Sequence, residues 1–178
     1  MSIKLFDTDC TINLFEKMRS FDCIPYLSNY KIIFTEQVVS ETNNDRFELN
    51  VPFEYYKLSS DEEKLYSEIS DYVGFLGKGE RSVIVHALNL SNEHDHTEEG
   101  HIVILSMDRE AGHHFRNDIL KDPQIRKTYP NAEKILWVGA SDFLKKMWDE
   151  GAIPEQIAPQ IYREMRPILG KKIDFLIQ

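Results

Sequence analysis

Short apolar runs alternate along the chain with longer segments in which apolar residues recur at helical spacing. Each short run predicts a β-strand, and the runs lie at 3–6, 31–34, 101–106 and 135–138. A less regular segment, 43–59, contains a candidate for a short edge strand at 53–56. Such alternation favours a parallel sheet that is covered by helices on both faces.

Helical spacing predicts helices over 10–19, 36–42, 61–72, 80–90, 109–120, 141–150 and 154–169. Ser60 and Ser141 are predicted N-caps, and Gly151 and Gly170 are predicted helix stops. The polar segment 92–100 predicts a loop. Because the sequence shows no repeat or interdomain linker, we expect a single three-layer α/β/α domain over 1–178 with a mainly parallel central sheet.

Acidic residues stand where these elements bring side chains inward. Asp7 directly follows the run at 3–6, and Asp108 lies just past the run at 101–106. In open α/β sheets, ligands bind beyond the carboxyl ends of the strands, so both acids are predicted to border one crevice. Glu41 and Glu80 fall on otherwise apolar faces of predicted helices.

A carboxylate on an apolar face is costly to desolvate unless it is protonated, paired or bound to a cation. Each acid alone has a structural explanation. Asp7 can cap a helix, Glu80 and Asp108 suit a first helical turn, and Glu41 can end a helix in solvent. Together, the four positions indicate a metal-binding acidic cluster, and Mg²⁺ or Mn²⁺ prefers such oxygen ligands.

Charge and cysteine content narrow the class of protein. The formal net charge of −9 argues against a general nucleic-acid coating protein. It does not exclude an enzyme that acts on nucleic acid, because bound cations offset clustered carboxylates. Cys10 and Cys23 predict free thiols in a reducing compartment. The first residues lack the features of a signal peptide and no apolar run approaches membrane-spanning length, so we expect a cytoplasmic protein that does not associate with membranes.

The ordered set of acidic segments resembles the PIN-domain nucleases. Residues 3–9 resemble the family's opening strand with its first acid, and 38–41 its second acidic motif. Residues 76–81 resemble the Gly-x-Gly-Glu form of the third motif, and 104–109 the fourth. Segments 138–144 and 150–154 resemble the closing helices. The resemblance therefore extends over nearly the whole chain in the family's order.

This resemblance implies a PIN-like fold and a ribonuclease that depends on Mg²⁺ or Mn²⁺. Carried over by position, Asp7, Glu41, Glu80 and Asp108 are the catalytic and metal-binding residues. The reaction it implies is attack of metal-activated water on a phosphodiester of RNA. Many relatives are toxins that are held by a small antitoxin protein, and homodimers are common among them.

Two positions depart from the family's pattern. Asp9 stands where many relatives have Asn, and Met107 stands where some have a second Asp. The number of bound cations therefore stays open.

Side chains next to the acids are candidates for contacts with the substrate. Hydroxyl groups near the first acid can bond a phosphate or orient a carboxylate, with helix capping as the alternative. Cationic side chains after the third and fourth acids can approach a nucleic-acid backbone, with a solvated face as the alternative. These candidates are Thr8, Thr11, Arg81, Arg109, His113 and Arg116.

Two other functions remain open at this level. Asp7 and Asp9 also resemble the opening motif of haloacid-dehalogenase-like phosphatases, in which the first Asp is a nucleophile and the second a general acid or base. That match weakens at 139–142, where adjacent Gly and Asp are expected, and it leaves Glu41 and Glu80 without a role. A PIN-like binding module without catalysis is the third hypothesis, and the presence of all four acids argues against it.

Overall fold

A computed structural model describes residues 1–42, 53–72, 76–93 and 101–169. The strands in these residues are β1 (Ile3–Phe6), β2 (Lys31–Thr35), β3 (Phe53–Tyr56), β4 (Ile102–Ser106) and β5 (Leu136–Gly139). They pair in parallel throughout and form one sheet in the order β3-β2-β1-β4-β5. All residues of β1 and β4 are buried, as expected for inner strands that are covered on both faces.

The α-helices of the described residues are α1 (Thr8–Cys10), α2 (Glu16–Ser20), α3 (Glu36–Glu41), α4 (Ser60–Tyr72), α5 (Lys78–Glu93), α6 (Arg109–His114), α7 (Pro123–Thr128), α8 (Ala140–Asp149) and α9 (Ile157–Leu169). Two π-helical turns, Thr11–Phe15 and Phe115–Ile119, directly continue α1 and α6. Two 3₁₀ helices occupy Ile24–Asn29 and Ala132–Lys134. None of the described helices is long and apolar enough to cross a bilayer.

Neighbouring strand residues contact helices on opposite faces of the sheet, which makes the fold a three-layer α/β/α sandwich. On one face, the ring of Phe6 lies 5.5 Å from that of Phe34 and 6.4 Å from that of Phe143 in α8. On the other face, the hydroxyl of Thr35, the next residue in β2, lies 2.5 Å from the hydroxyl of Ser82 in α5. Both faces are thus closed, and only the edges and ends of the sheet remain for ligands.

The predicted strands agree closely with the observed ones, including the edge strand at 53–56. The predicted helices at 10–19 and 109–120 each contain a π-helical turn that hydrophobic spacing does not reveal. Helix α7 and the 3₁₀ helices were not predicted, because segments this short show no periodicity. The predicted loop at 92–100 overlaps the end of α5, and 94–100 lie outside the described residues.

Two of the predicted helix boundaries are wrong at their N-caps. Helix α4 is capped by Ser59, not Ser60: its Oγ accepts from the Glu62 amide at 3.4 Å, and Glu62 Oε2 accepts from the Ser59 amide at 2.8 Å. This reciprocal pair is a capping box. Helix α8 begins one residue earlier than predicted, so Ser141 lies inside it.

The predicted helix stop at Gly151 is confirmed by its φ of 66°, which a glycine adopts without strain. Gly170 lies outside the described residues.

A buried polar network joins β3, α4 and α5 away from the acidic strand ends. Glu62 Oε1 lies 2.9 Å from His86 Nδ1, and Glu62 Oε2 accepts from the Tyr56 hydroxyl at 2.8 Å. Burial acts to raise the pKa of Glu62, but the hydrogen bonds from His86, Ser59 and Tyr56 outweigh it and lower that pKa. The network therefore fixes the edge strand to the helices, because each buried polar group needs its partner.

Candidate acidic site at the carboxyl ends of the central strands

The strand order places the first and fourth acids at the same edge of the sheet. The chain runs outward from β1 to β3 and then returns to the opposite side of β1 with β4, so a topological switch point lies between β1 and β4. In their register Phe6 is opposite Leu105, and the Asp7 amide donates to the Leu105 carbonyl at 3.0 Å. Asp7 and Asp108 thus begin the segments that leave two adjacent strands at one end.

Asp7 is fully buried at the start of α1. Its Oδ1 accepts a hydrogen bond from the Cys10 amide at 2.7 Å, while its Oδ2 has no hydrogen-bond partner among the described residues. Burial raises the pKa of Asp7 to about 7, and repulsion from Glu80 and Asp9 acts in the same direction. The nearby Ser106 hydroxyl and the Cys10 amide offset only part of this rise. An oxygen in this state favours a proton or a cation.

Glu80 lies in the first turn of α5 and is half-buried. Its Oε2 accepts a hydrogen bond from the Gly77 amide, which places the carboxylate at the helix N-terminus. Burial raises the pKa of Glu80, and repulsion from Asp108, Asp9 and Glu41 adds to this effect. This mutual repulsion shows that the acids of separate chain segments share one electrostatic environment.

Glu41 and Asp108 are each held by a local contact. Glu41 ends α3, and its Oε2 accepts a hydrogen bond from the Thr8 hydroxyl. Asp108 caps α6, with Oδ1 accepting from the Ala111 amide at 2.9 Å, and its own amide donates to Ser106 Oγ at 3.0 Å. The structure therefore brings Glu41 and Asp108 into the surroundings of Glu80. Within the described ranges, no group of three or more His, Cys, Asp or Glu side chains is placed to hold a metal ion.

The close approach of α5 to α1 and α3 depends on Gly79. A Cβ at this position would lie 2.8 Å from Glu41 Oε2 and would overlap the Thr8 hydroxyl oxygen. Glycine thus lets the first turn of α5 pack directly against the Thr8–Glu41 hydrogen bond. The Gly-x-Gly-Glu segment contributes close packing as well as its acid.

We expect Gly79→Ala to destabilise the protein by about 1–3 kcal/mol, because the methyl group overpacks a buried contact. The higher helix propensity of alanine, worth about 1 kcal/mol, opposes this loss. Urea unfolding measures the difference. The comparison is Gly139→Ala, whose Cβ would meet only the Asp142 side chain, at 3.3 Å. Gly139 is the N-cap of α8, so this change should cost no more than roughly 1 kcal/mol, from the poorer cap. Equal stability of Gly79→Ala and wild type would show that α5 stands farther from Thr8 than described.

A cleft of about 940 Å³ is lined by Asp108, whereas Asp7, Glu41 and Glu80 are not among its lining residues. Asp9 lines it from the first helix, Asp108 from the end of β4, and Asp142 from the first turn of α8. Sequence reasoning gave Asp142 no place in the nuclease site, although it follows the end of β5 as Asp7 follows β1. Asp142 is predictable from the sequence in the same way as Asp7 and Asp108, because ligands bind beyond the carboxyl ends of parallel strands.

Some of the predicted substrate-contact residues line the cleft, and others contact residues outside it. Arg109 and Arg116 line the cleft and are exposed. Arg81 instead lies over the Tyr66 ring, 4.8 Å from its centroid. His113 is exposed and contacts Asn117 one turn later.

The two threonines near the first acid have different contacts. Thr8 orients a carboxylate, one of its two predicted roles, through its hydrogen bond to Glu41. Thr11 is buried, and its hydroxyl donates to the Asp7 carbonyl at 2.5 Å. In this position Thr11 stabilises the turn that follows Asp7.

Comparison of the chain with protein-family models, with curated proteins and with solved structures gives no match. The fold and site define an α/β/α protein with acidic side chains around the switch point of a parallel sheet. Its likeness to PIN domains remains a resemblance in motif order.

Proposed function

We propose that this protein is a PIN-like ribonuclease that depends on Mg²⁺ or Mn²⁺. One observation carries most of the proposal: the fully buried Asp7 carboxylate has an unpartnered Oδ2 among the described residues and is repelled by Glu80 and Asp9. A buried carboxylate oxygen without a hydrogen-bond partner destabilises the folded state unless it binds a proton or a cation. Its place at the switch point of the sheet is the expected position of a ligand site.

The donor chemistry of the cluster suits a hard divalent cation. Such cations bind carboxylate oxygens and keep several waters, so they do not need a closed cage of protein ligands. Among the described residues these acids are not placed as a ready-made group of three around one point, so a cation would have to draw Asp7, Glu80 and Asp108 together, with Glu41 beside them. Glu41 and Glu80 have long side chains that can turn toward a cation without movement of the backbone. A bound cation would also offset the burial and the weaker repulsion that raise the pKa values of Asp7 and Glu80.

When bound, the cation would supply an activated water and stabilise charge on the phosphodiester. The protein's own groups perform the remaining tasks. Without a cation, burial raises the pKa of Asp7 to about 7, so this carboxyl can take up a proton near neutral pH. Arg109 and Arg116 line the cleft, where guanidinium groups attract phosphates. Gly77 and Thr8 orient the carboxylates of Glu80 and Glu41 through hydrogen bonds.

The phosphatase alternative is less well supported. A nucleophilic carboxylate must contact its substrate, whereas Asp7 is fully buried and is not among the residues that line the cleft. The phosphatase hypothesis also gives Glu41 and Glu80 no role. Glu80 nevertheless shares the electrostatic environment of the other acids, because Asp108, Asp9 and Glu41 repel it. We therefore place the nuclease first.

The test is cleavage of labelled single-stranded RNA by the purified protein. We expect cleavage with Mg²⁺ or Mn²⁺ and none with EDTA, and no hydrolysis of a small phosphomonoester. Cation binding should also raise the unfolding midpoint, because a ligand at 100 times its Kd stabilises a fold by about 2.7 kcal/mol. Metal-dependent phosphomonoester hydrolysis without RNA cleavage would instead support the phosphatase. If neither activity is observed, the result would support the third hypothesis, a PIN-like binding module without catalysis.

The resemblance to toxin-like PIN ribonucleases also supports a small antitoxin partner, a homodimer and a cytoplasmic location. Sedimentation of the purified protein tests the homodimer directly. A mass equal to one chain across a wide concentration range would contradict it.

A further inference from the structure

Trp137 is an aromatic side chain held rigidly in the wall of the cleft. It lies in β5 and is half-buried. Its Nε1 donates to the Asp108 carbonyl at 3.2 Å, and its ring lies 5.6 Å from that of Phe115. A Cβ at Gly112 would lie 2.6 Å from Trp137 Cδ1, so glycine is required for the ring to sit there. The indole is thus fixed by the backbone of an acidic cluster residue.

Charged side chains of both signs surround this ring. Arg109 and Arg116 line the same cleft and are exposed, whereas Asp9, Glu110 and Asp142 contribute negative charge to it. Acidic groups repel phosphates, so electrostatic attraction alone would bind a phosphate backbone weakly in this cleft. A ligand that gains affinity from stacking as well as from the two arginines fits this lining better than a polyanion alone.

Single-stranded nucleic acid offers both kinds of contact. Its bases stack on aromatic side chains while its phosphates contact arginines. In a duplex the base faces are covered by neighbouring bases, so a fixed indole gains no stacking partner unless the duplex opens. The pairing of a rigid ring with two arginines in one cleft therefore selects for an unpaired strand.

We infer that Trp137 is a stacking platform for an unpaired base of single-stranded RNA, with Arg109 and Arg116 on the phosphates of the same strand. This inference rests on the proposed ribonuclease function and adds the residue that would position an unpaired base in the cleft. Trp137 would set the position of the strand relative to Asp108, because the indole is hydrogen-bonded to that residue's carbonyl.

The experiment separates the base contact from the phosphate contacts. In a Trp148→Phe background Trp137 is the remaining tryptophan, so its fluorescence reports on the cleft. Glu80→Gln is added to prevent cleavage, and Mg²⁺ is present. The probes are a hexamer of uridylate and a hexamer with the same ribose-phosphate chain but no bases. We expect the uridylate hexamer to quench Trp137 and to bind about 5- to 100-fold more tightly than the abasic one.

The Trp137 variants decide the assignment, and because they lack the reporting indole their affinities for both hexamers are measured by filter binding of labelled hexamers. Trp137→Leu should reduce this preference for bases to less than about twofold, because leucine gives no stacking surface. Trp137→Phe keeps an aromatic face and should retain most of it, which excludes a merely structural effect. The matched control is Trp148→Leu, compared with a protein that keeps both tryptophans. That indole donates to the Glu155 carbonyl at 3.0 Å outside the cleft, so its loss should leave the preference unchanged.

Arg116→Ala tests the phosphate contact separately. It should weaken both hexamers alike and lower the slope of log affinity against log salt by about 0.7, the value for one phosphate contact on a single strand. Trp137→Leu should leave that slope unchanged.

The inference is overturned if Trp137→Leu discriminates between the hexamers as well as wild type does, or if the uridylate hexamer leaves Trp137 fluorescence unchanged. Should Trp137→Leu fail to fold, the fluorescence response and the Trp137→Phe comparison still decide. If wild type cleaves RNA but shows no preference for bases, the nuclease stands and this inference fails. If base preference is present without cleavage of any RNA, this inference stands and the nuclease fails.

Discussion

Asp7→Asn is expected to lower RNA cleavage by at least about a hundredfold while the protein stays folded. The asparagine has nearly the same shape, and it is also a good N-cap, so the hydrogen bond from the Cys10 amide is retained. What disappears is the negative charge on a buried oxygen that has no partner among the described residues. Removing even an outer partner of a metal ligand costs about 10–100-fold, so a direct ligand should cost at least the upper value.

The same substitution should change how stability depends on pH. In metal-free protein, burial raises the pKa of Asp7 from 3.8 to about 7. Between these values the folded state binds more protons than the unfolded state, so the free energy of unfolding falls as pH rises from about 4 to about 7. The full shift corresponds to roughly 4 kcal/mol, an order-of-magnitude figure. Asp7→Asn removes this dependence and should be more stable than wild type above pH 7.

Urea unfolding in EDTA at several pH values between 4 and 8 measures this difference, and added Mg²⁺ should reduce it by replacing the proton. Asp122→Asn is a matched control, because Asp122 also caps a helix, α7, with bonds from the Gln124 and Ile125 amides at 2.7 Å and 3.0 Å. It should keep full cleavage and the wild-type pH dependence. An Asp7→Asn protein that cleaves RNA normally would remove the basis of the proposed site.

Glu80→Gln and Asp9→Asn are expected to have opposite effects. Glu80→Gln should lower RNA cleavage by about a hundredfold or more, because the amide binds a hard cation poorly. Glutamine keeps an oxygen for the Gly77 amide, so the start of α5 should stay intact. Asp9→Asn should lower cleavage by less than about tenfold, since Asp9 is exposed where it lines the cleft and the PIN nucleases that the motif order resembles often have Asn at this position.

The phosphatase hypothesis predicts the opposite effects, with a strong loss of activity for Asp9→Asn and little loss for Glu80→Gln. It makes the second Asp a general acid or base and gives Glu80 no role. Initial cleavage rates of both variants with saturating Mn²⁺ give the comparison, and circular dichroism verifies that each is folded. Strong loss in Asp9→Asn with near-normal Glu80→Gln would contradict the nuclease.

Several elements were predictable because their signals are local. The mainly apolar runs of β1 and β4 identify inner strands, since strands buried on both faces are predominantly apolar. Lys4 in β1 and Ser106 in β4 are buried polar exceptions. The strand ends then point to Asp7 and Asp108, because parallel strands share one ligand-binding edge. Helix α7 and the 3₁₀ helices gave no signal, because one or two turns cannot show a period.

The π-helical turns after α1 and α6 also escape sequence reasoning. They follow Asp7 and Asp108 in the same order, each after an acid that caps the preceding short helix. A π-turn differs from an α-turn by one hydrogen-bond position, and such turns are frequent at functional sites. Hydrophobic spacing over five residues does not distinguish the two kinds of turn.

By itself, the sequence determined the layered α/β class and the acids at the strand ends, because hydrophobic spacing and strand polarity are local properties of the chain. Only the tertiary structure decided that Oδ2 of Asp7 is left without a partner among the described residues, that Glu41 contacts Thr8, and that Trp137 stands against Asp108. These outcomes depend on strand order and on how closely α5 approaches α1. Such distances between remote segments are set by packing of the whole core, which no short stretch of sequence encodes.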